Sequence, residues 1–213
     1  GALVRTQPTG GGLFAEPAAY YVPGYLATVV LFTPLSRVGS EIARHRDGSR
    51  FEKLATTPLT RAEWLIAHTL VNIAIIGLAS LLILGLVVGV TGATIPLTPR
   101  LALLGPYIVA AVVLFCGFGA ILGRLSSTQD GVIAASNTIA FPLLFLSDTF
   151  VTLELLPSWF APLVDLSPLT YFARGVRAIT YTAAAPAGGA LAILSVLAVV
   201  FFVAGAYAIP RTD

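Results

Sequence analysis

The chain has 213 residues, of which 57% are hydrophobic and only 10% are charged, and its formal net charge is +2. Because a soluble domain carries about 25% charged residues, this chain lacks the polar side chains needed to cover its surface in water. We therefore predict that lipid surrounds most of the chain, and a net charge this small gives no indication of nucleic-acid binding.

Residues 1–19 are rich in Gly and Pro and are predicted to form an outer loop. The triple glycine Gly10–Gly12 is not followed by the Lys-Ser/Thr of a nucleotide-binding loop, which favours a linker. Residue 1 is Gly and the sequence contains no Met, so we expect the natural protein to begin upstream. The single Cys116 cannot form an internal disulfide and lies in an apolar run.

Residues 20–213 are predicted to form one transmembrane domain. Apolar runs of suitable length predict membrane spans at about 20–38, 64–90, 101–123, 132–148 and 187–209. Tyrosines at the start of the first run are typical of a membrane interface. The predicted fold class is an all-α polytopic membrane protein, with five spans here, a cytoplasmic coupling helix and an outer re-entrant or interfacial helical segment.

One charged stretch, residues 37–63, interrupts the apolar pattern. It contains six of the twelve basic residues and four of the ten acidic ones. Loops rich in Lys and Arg remain on the cytoplasmic side, so we predict that this stretch is a cytoplasmic loop. Alternation of the spans then places the first residue outside, so one further upstream span, and six in the full protein, are expected.

Two capping boxes lie within this loop. Ser49 and Glu52 are spaced to begin a short helix over residues 50–55, and Thr60 and Glu63 to begin the second span. The short helix would carry Phe51 and Leu54 on one apolar face.

The outer segment 149–186 is apolar and aromatic but too short to span. Residues 153–164 are predicted to form a pair of half-helices in or on the outer leaflet. Residues 168–171 are then expected to break the chain. An interfacial helix over 172–181 would follow, with Arg174 and Arg177 extending their charged groups to water.

Few residues suggest catalysis. His68 and Asn72 lie one helical turn apart near the start of the second span, and Asn137 lies in the fourth; structural hydrogen bonds are the more common role for such groups. Asp148 and Glu154 at the outer end could serve as acid and base, but solvated interface carboxylates are favoured. The sequence contains no catalytic triad, CxxC, HExxH or nucleotide motif.

Two patterns resemble the membrane subunit of type-2 ABC exporters, the class that includes drug, polysaccharide and lipid export permeases. One resembles the family's outer signature and comprises Leu156, Pro157, Pro168, Leu169, Tyr171 and Arg177. The other is similar to its first cytoplasmic loop and comprises Glu41, Arg44, Asp47, Gly48, Ser49, Glu52, Leu54, Thr57 and Pro58. For ATPase coupling we expect Phe51 and Leu54 to enter a groove of the ATPase, with the charged residues of this loop as polar partners.

The resemblance implies a permease subunit of an ATP-driven exporter in the plasma membrane, with no catalysis of its own. Its partners would be a separate cytoplasmic ATP-binding subunit and a second permease copy, identical or related. ATP and Mg would bind to the ATPase, and this chain would bind no cofactor. The uniformly apolar spans favour a hydrophobic or amphipathic cargo, such as a drug or lipid.

Two other interpretations of the function remain open. A channel or other membrane module working without an ATPase would need a row of polar residues along a pore, and these spans offer few. An intramembrane enzyme would need clustered acids or histidines at membrane depth, and the sequence has only scattered ones.

Overall fold

The computed structural model describes residues 18–47, 60–93, 95, 98–147, 149, 161–182 and 188–209. The described residues form helices joined by turns, which confirms the all-α prediction. We number the α-helices in chain order. They are α1 (Val22–Asp47), α2 (Arg61–Thr91), α3 (Leu104–Leu125), α4 (Gln129–Phe145), α5 (Ala161–Leu166), α6 (Pro168–Thr180) and α7 (Gly188–Ala208).

Helix α1 is longer than the span predicted over residues 20–38. It follows a short 3-10 helix, Ala18–Tyr21, passes through Pro34 without ending and continues to Asp47. The first part of the expected charged loop is therefore helical. Glu41 and Arg44 lie on a continuation of the membrane helix, because the chain from Val38 to Asp47 contains no proline and its apolar residues Val38 and Ile42 remain fully buried.

Helix α2 begins at the predicted capping box. The Glu63 backbone N–H donates to Thr60 Oγ1 over 3.2 Å, and the Thr60 N–H donates to Glu63 Oε2 over 2.7 Å. The helix ends at Gly92, whose φ of 66° is accessible to glycine at little cost. The capping box predicted at the start of this helix is confirmed.

Helix α3 is the centre of the bundle, with α1 and α7 as its most extensive neighbours. Glycines make these close approaches possible. A Cβ on Gly119 would lie 2.6 Å from the Leu35 carbonyl oxygen, and one on Gly123 would lie 2.6 Å from the Gly39 oxygen. Small residues at such positions let helix backbones approach closely in lipid, as the spacing of Gly119 and Gly123 predicts.

Four helices among the described residues are long and apolar enough to cross a membrane: Ala19–Arg46 (α1 with most of its leading turn), Arg61–Thr91, Pro99–Leu125 and Gly188–Ala208. The remaining predicted span, 132–148, corresponds to α4, which has 17 residues. At about 1.5 Å per residue it measures about 25 Å, close to the lower limit for a spanning helix.

Helices α5 and α6 correct the prediction for the outer segment. Pro168 does not break the chain but begins α6, at the first helical position, where its missing N–H costs no hydrogen bond. Helix α6 packs against α1, α7 and α3. Most of its residues are buried in the bundle, so it is not a helix lying on the lipid surface alone.

Contacts between the helix ends define two ends of the bundle. Arg46 in α1 contacts the connection after α3, and the Arg61 Nη1 donates to the Tyr207 carbonyl oxygen over 3.4 Å. We call this the charged end, comprising Arg46, Arg61 and Arg124. At the opposite end the rings of Tyr20 and Tyr181 meet edge to face at 5.8 Å; we call it the tyrosine end, comprising Tyr20, Tyr21 and Tyr181.

Candidate functional site

The last two turns of α1 place a group of polar side chains at the charged end. Arg44 Nη2 forms an ion pair with Glu41 Oε2, one turn away on the same helix. The His45 Nδ1 lies 3.6 Å from the other Glu41 carboxylate oxygen and 2.9 Å from the Glu41 carbonyl oxygen. Both oxygens of this carboxylate therefore have a basic neighbour, and Glu41 is held against α1.

Arg46 joins α1 to the connection between α3 and α4. Its Nη1 donates to the Arg124 carbonyl oxygen over 3.3 Å, and its Nη2 donates to the Ser126 carbonyl oxygen. These carbonyl groups lie at or just after the end of α3, where they have no partner within the helix. One guanidinium thus fixes the end of α1 to the end of α3.

Helix α2 completes this group with aromatic rings. The Trp64 ring is 4.0 Å from that of His68 and 5.7 Å from that of His45, measured between ring centroids. Asn72 Nδ2 donates to the His68 carbonyl oxygen over 2.8 Å, so the Asn72 side chain bonds within its own helix. His68 and Asn72 therefore contribute to the packing of α1 and α2, as the sequence favours.

The structure covers only part of the predicted coupling set. Glu41 and Arg44 lie at the charged end, and Asp47 is the last residue of α1. Gly48, Ser49, Phe51, Glu52 and Leu54, with the predicted helix over 50–55, lie outside the described residues. The structure places the end of α1 and the start of α2, on either side of residues 48–59, at the charged end of the bundle.

The outer signature is also covered in part, since Leu156 and Pro157 lie outside the described residues. Its other members all belong to α6. Leu169 is fully buried, and the Tyr171 hydroxyl donates to the Asp165 carbonyl oxygen over 2.9 Å. Together these residues hold α6 and the end of α5 in the bundle.

Arg177 differs from the prediction that it extends to water. Only 9% of the residue is exposed, and its guanidinium carbon lies 4.2 Å from the centroid of the Tyr20 ring. Arginine is weakly hydrated and stacks on aromatic faces, which allows this burial. Arg174, by contrast, is partly exposed and pairs with Asp165 at 2.8 Å.

Sequence reasoning did not identify His45 or the role of Arg46. The spacing of Glu41 and His45, four residues apart, would have indicated their contact once the region was recognised as helical. The contact of Arg46 with Arg124 and Ser126 joins residues far apart in sequence and has no local signal. Among the residues that the structure describes, no group of three His, Cys, Asp or Glu side chains could hold a metal ion.

The helices, their apolar surfaces and the charged end define a class, the multi-pass helical membrane proteins. The particular family follows from comparison: the model of the ABC-2 type transporter family matches residues 3–181. The chain therefore belongs to the ABC-2 type transporter family, as its motifs predict, and is a multi-pass protein of the plasma membrane.

Two curated relatives are similar over most of this chain. The daunorubicin resistance ABC transporter permease protein DrrB1 of Streptomyces coeruleorubidus is 26% identical over 183 residues, which is 80% of this chain and 62% of DrrB1. The probable multidrug ABC transporter permease YbhR of Escherichia coli (strain K12) is 23% identical over 153 residues, 72% of this chain and 41% of YbhR. The chain thus matches less than two thirds of the length of either relative.

Proposed function

We propose that this chain is the membrane-spanning permease subunit of an ATP-driven exporter and that it couples, at its charged end, to a separate cytoplasmic ATPase subunit. Membership of the ABC-2 family supports the transport role. The ATPase would bind ATP and Mg, and a second permease copy, identical or related, would complete the translocation path.

One observation carries the coupling proposal: α1 continues without interruption from the tyrosine end to Asp47. It therefore reaches the start of segment 48–59, where the sequence predicts an amphipathic coupling helix. Because Arg46 also bonds to the end of α3, a displacement of that segment would move α1 and α3 together. Closely packed helices transmit such displacements as rigid bodies.

The proposed cargo is hydrophobic or amphipathic, resembling a drug or a lipid. The relatives' names refer to daunorubicin resistance and to multidrug transport. The uniformly apolar spans fit a cargo of this kind.

The coupling proposal is tested by exchanging Phe51 and Leu54 together for Asp in the full-length protein. If these side chains occupy a groove of the ATPase, the charges would abolish co-purification of the ATPase, because burying an unpaired carboxylate is very costly. The matched control is Leu166→Asp, since Leu166 is 78% exposed at the end of α5, away from the charged end. Co-purification of the ATPase with the double variant at the wild-type ratio would contradict the proposal.

A functional measurement accompanies the co-purification test. We expect the ATPase rate of the purified ATPase to change when the wild-type permease is added, and to stay at its isolated value when the double variant is added. An ATPase rate that the wild-type permease does not alter would favour a membrane module that works without an ATPase.

A further inference from the structure

Arg37 occupies an unexpected place in the bundle. The sequence predicts a span that ends at about residue 38, with Arg37 at its boundary, but α1 continues to Asp47. At about 1.5 Å per residue, Arg37 lies about 15 Å before the end of the helix and about 24 Å beyond Tyr21. With Tyr21 at one interface and a hydrocarbon core of about 30 Å, its Cα is about 6 Å inside the opposite boundary.

The carboxylate nearest to Arg37 along the helix is already engaged. Glu41 is one turn away, at a spacing that favours an ion pair. Its carboxylate instead pairs with Arg44 and has His45 beside its other oxygen. Within the described part of the chain, no carboxylate lies within ion-pair distance of Arg37.

Arg37 lies on the side of α1 opposite its closest contact with α3. Gly39, two residues further and therefore about 200° around the helix, packs against Gly119, Gly123 and Val132. Arg37 is exposed, in contrast to the buried residues Leu35 and Val38. A cation at membrane depth that has no ion-pair partner among the described residues must reach water or an anion, and such residues are functional candidates.

We propose that Arg37 binds the acidic headgroup of an anionic phospholipid in the leaflet at the charged end. The long side chain can bring its guanidinium from just inside the hydrocarbon to the level of lipid phosphates. Its planar fork matches two phosphate oxygens. Arg44 lies on the same face seven residues further, where it pairs with Glu41. Basic groups between membrane helices on the cytoplasmic side are suited to acidic headgroups.

This binding site goes beyond the exporter function and does not require ATPase coupling. The site would select, by their charge, the lipids that surround α1. Its occupant is recognised by net negative charge, since phosphatidylcholine carries a phosphate as well but is neutral overall.

The test measures lipid selection by the full-length protein. The purified, delipidated protein is equilibrated in mixed micelles containing equal amounts of phosphatidylglycerol and phosphatidylcholine with identical acyl chains, and bound lipids are counted by native mass spectrometry. We expect enrichment of phosphatidylglycerol on the wild type and a fall of about fivefold in Arg37→Ala. Arg37→Lys keeps the charge but not the fork, and should retain part of the enrichment.

The matched control is Arg124→Ala, which removes an exposed arginine at the charged end outside this face and should leave enrichment unchanged. Equal enrichment on wild type and Arg37→Ala would overturn the proposal, as would an equal loss in both alanine variants, which would indicate diffuse attraction. Displacement of the lipid by millimolar inorganic phosphate would show that a free anion, not a headgroup, is the ligand.

A second copy of the chain is the other possible occupant of this face. Thr33 lies one turn from Arg37, and the native Cys116 is buried, so a Thr33→Cys variant offers one accessible thiol among the described residues. We expect no disulfide between copies of this variant in native membranes. Efficient oxidation to a dimer would show that a second copy covers the face and would overturn the lipid site.

Discussion

At the scale of single residues, arginines at the two ends of the bundle have different roles that their sequence positions do not reveal. Arg46 bonds to main-chain carbonyl groups at the end of another helix, while Arg44, two residues earlier, pairs with Glu41 on its own helix. Arg177 is buried against Tyr20, while Arg174, three residues earlier, pairs at the surface with Asp165. Each functional arginine thus has a nearby arginine that serves as a control.

Arg46→Ala should lower the free energy of unfolding by about 1 to 2 kcal/mol, because two hydrogen bonds from a charged donor are lost. Arg44→Ala should cost no more than about 0.5 kcal/mol, since it removes one exposed ion pair. Thermal unfolding of both variants in the same detergent, followed by tryptophan fluorescence, checks the difference. An equal loss in the two variants would show that the bonds from Arg46 do not stabilise the bundle.

Arg177→Ala should destabilise the protein by about 2 kcal/mol, from the lost cation–π contact and the lost packing of its stem. Arg177→Lys should lie between alanine and wild type, because lysine keeps the charge but cannot stack as a plane. Arg174→Ala, at the exposed pair, should be nearly neutral. Thermal unfolding again measures the order of the three, and a stable Arg177→Ala variant would contradict the role of the Tyr20 contact.

At the scale of elements, helix packing separates glycines that the sequence presents as equivalent. The pairs Gly85/Gly89 and Gly119/Gly123 share one spacing. The second pair lies against the backbone of α1, whereas a Cβ on either member of the first pair would meet nothing within 4 Å. Most of the residues of α2 are not buried within the chain, so lipid or other chains cover them, while α1 and α3 form the core.

Gly205→Ala should destabilise the contact of α3 and α7 by about 1 to 3 kcal/mol, because the added Cβ would collide with the Gly117 carbonyl oxygen and overpack the interface. Gly85→Ala should be neutral or should stabilise α2 by up to about 1 kcal/mol, since alanine is the better helix former and has open space there. Midpoints of thermal unfolding compare the two, and a Gly205→Ala variant as stable as Gly85→Ala would contradict the close packing.

At the scale of the whole molecule, the contacts group the connections at two ends. The end of α1, the start of α2 and the connection from α3 to α4 lie at the charged end. The start of α1 and the residues of α6 lie at the tyrosine end. Alternating spans require this grouping, and the excess of basic residues predicts that the charged end faces the cytoplasm.

Cysteine labelling in intact cells tests that orientation. Ser127 is exposed in the connection at the charged end and Thr98 is exposed before α3, while the native Cys116 is buried. A membrane-impermeant maleimide should label Thr98→Cys in intact cells and should label Ser127→Cys only after permeabilisation. Labelling of Ser127→Cys in intact cells would reverse the predicted orientation.

The sequence by itself determined the class of protein, the family and four of the long helices, because hydropathy and length are local properties that lipid enforces on every span. It also determined the start of α2, since the hydrogen bonds between Thr60 and Glu63 lie within one turn. The sequence analysis placed the end of the first span too early, at residue 38, whereas α1 continues to Asp47. A run of charged residues does not distinguish a loop from a helix that leaves the membrane.

Only the tertiary structure decided which charged side chains bind to other parts of the bundle and which are exposed at its surface. Arg46 meets the end of α3, 78 positions away along the chain, and Arg177 meets Tyr20 in the short 3-10 helix before α1. Such contacts depend on how helices pack, and packing follows from the shapes of complete faces, which no single stretch encodes. For the same reason the burial of Arg177 and the exposure of Arg37 within one bundle became visible only when the helices were placed together.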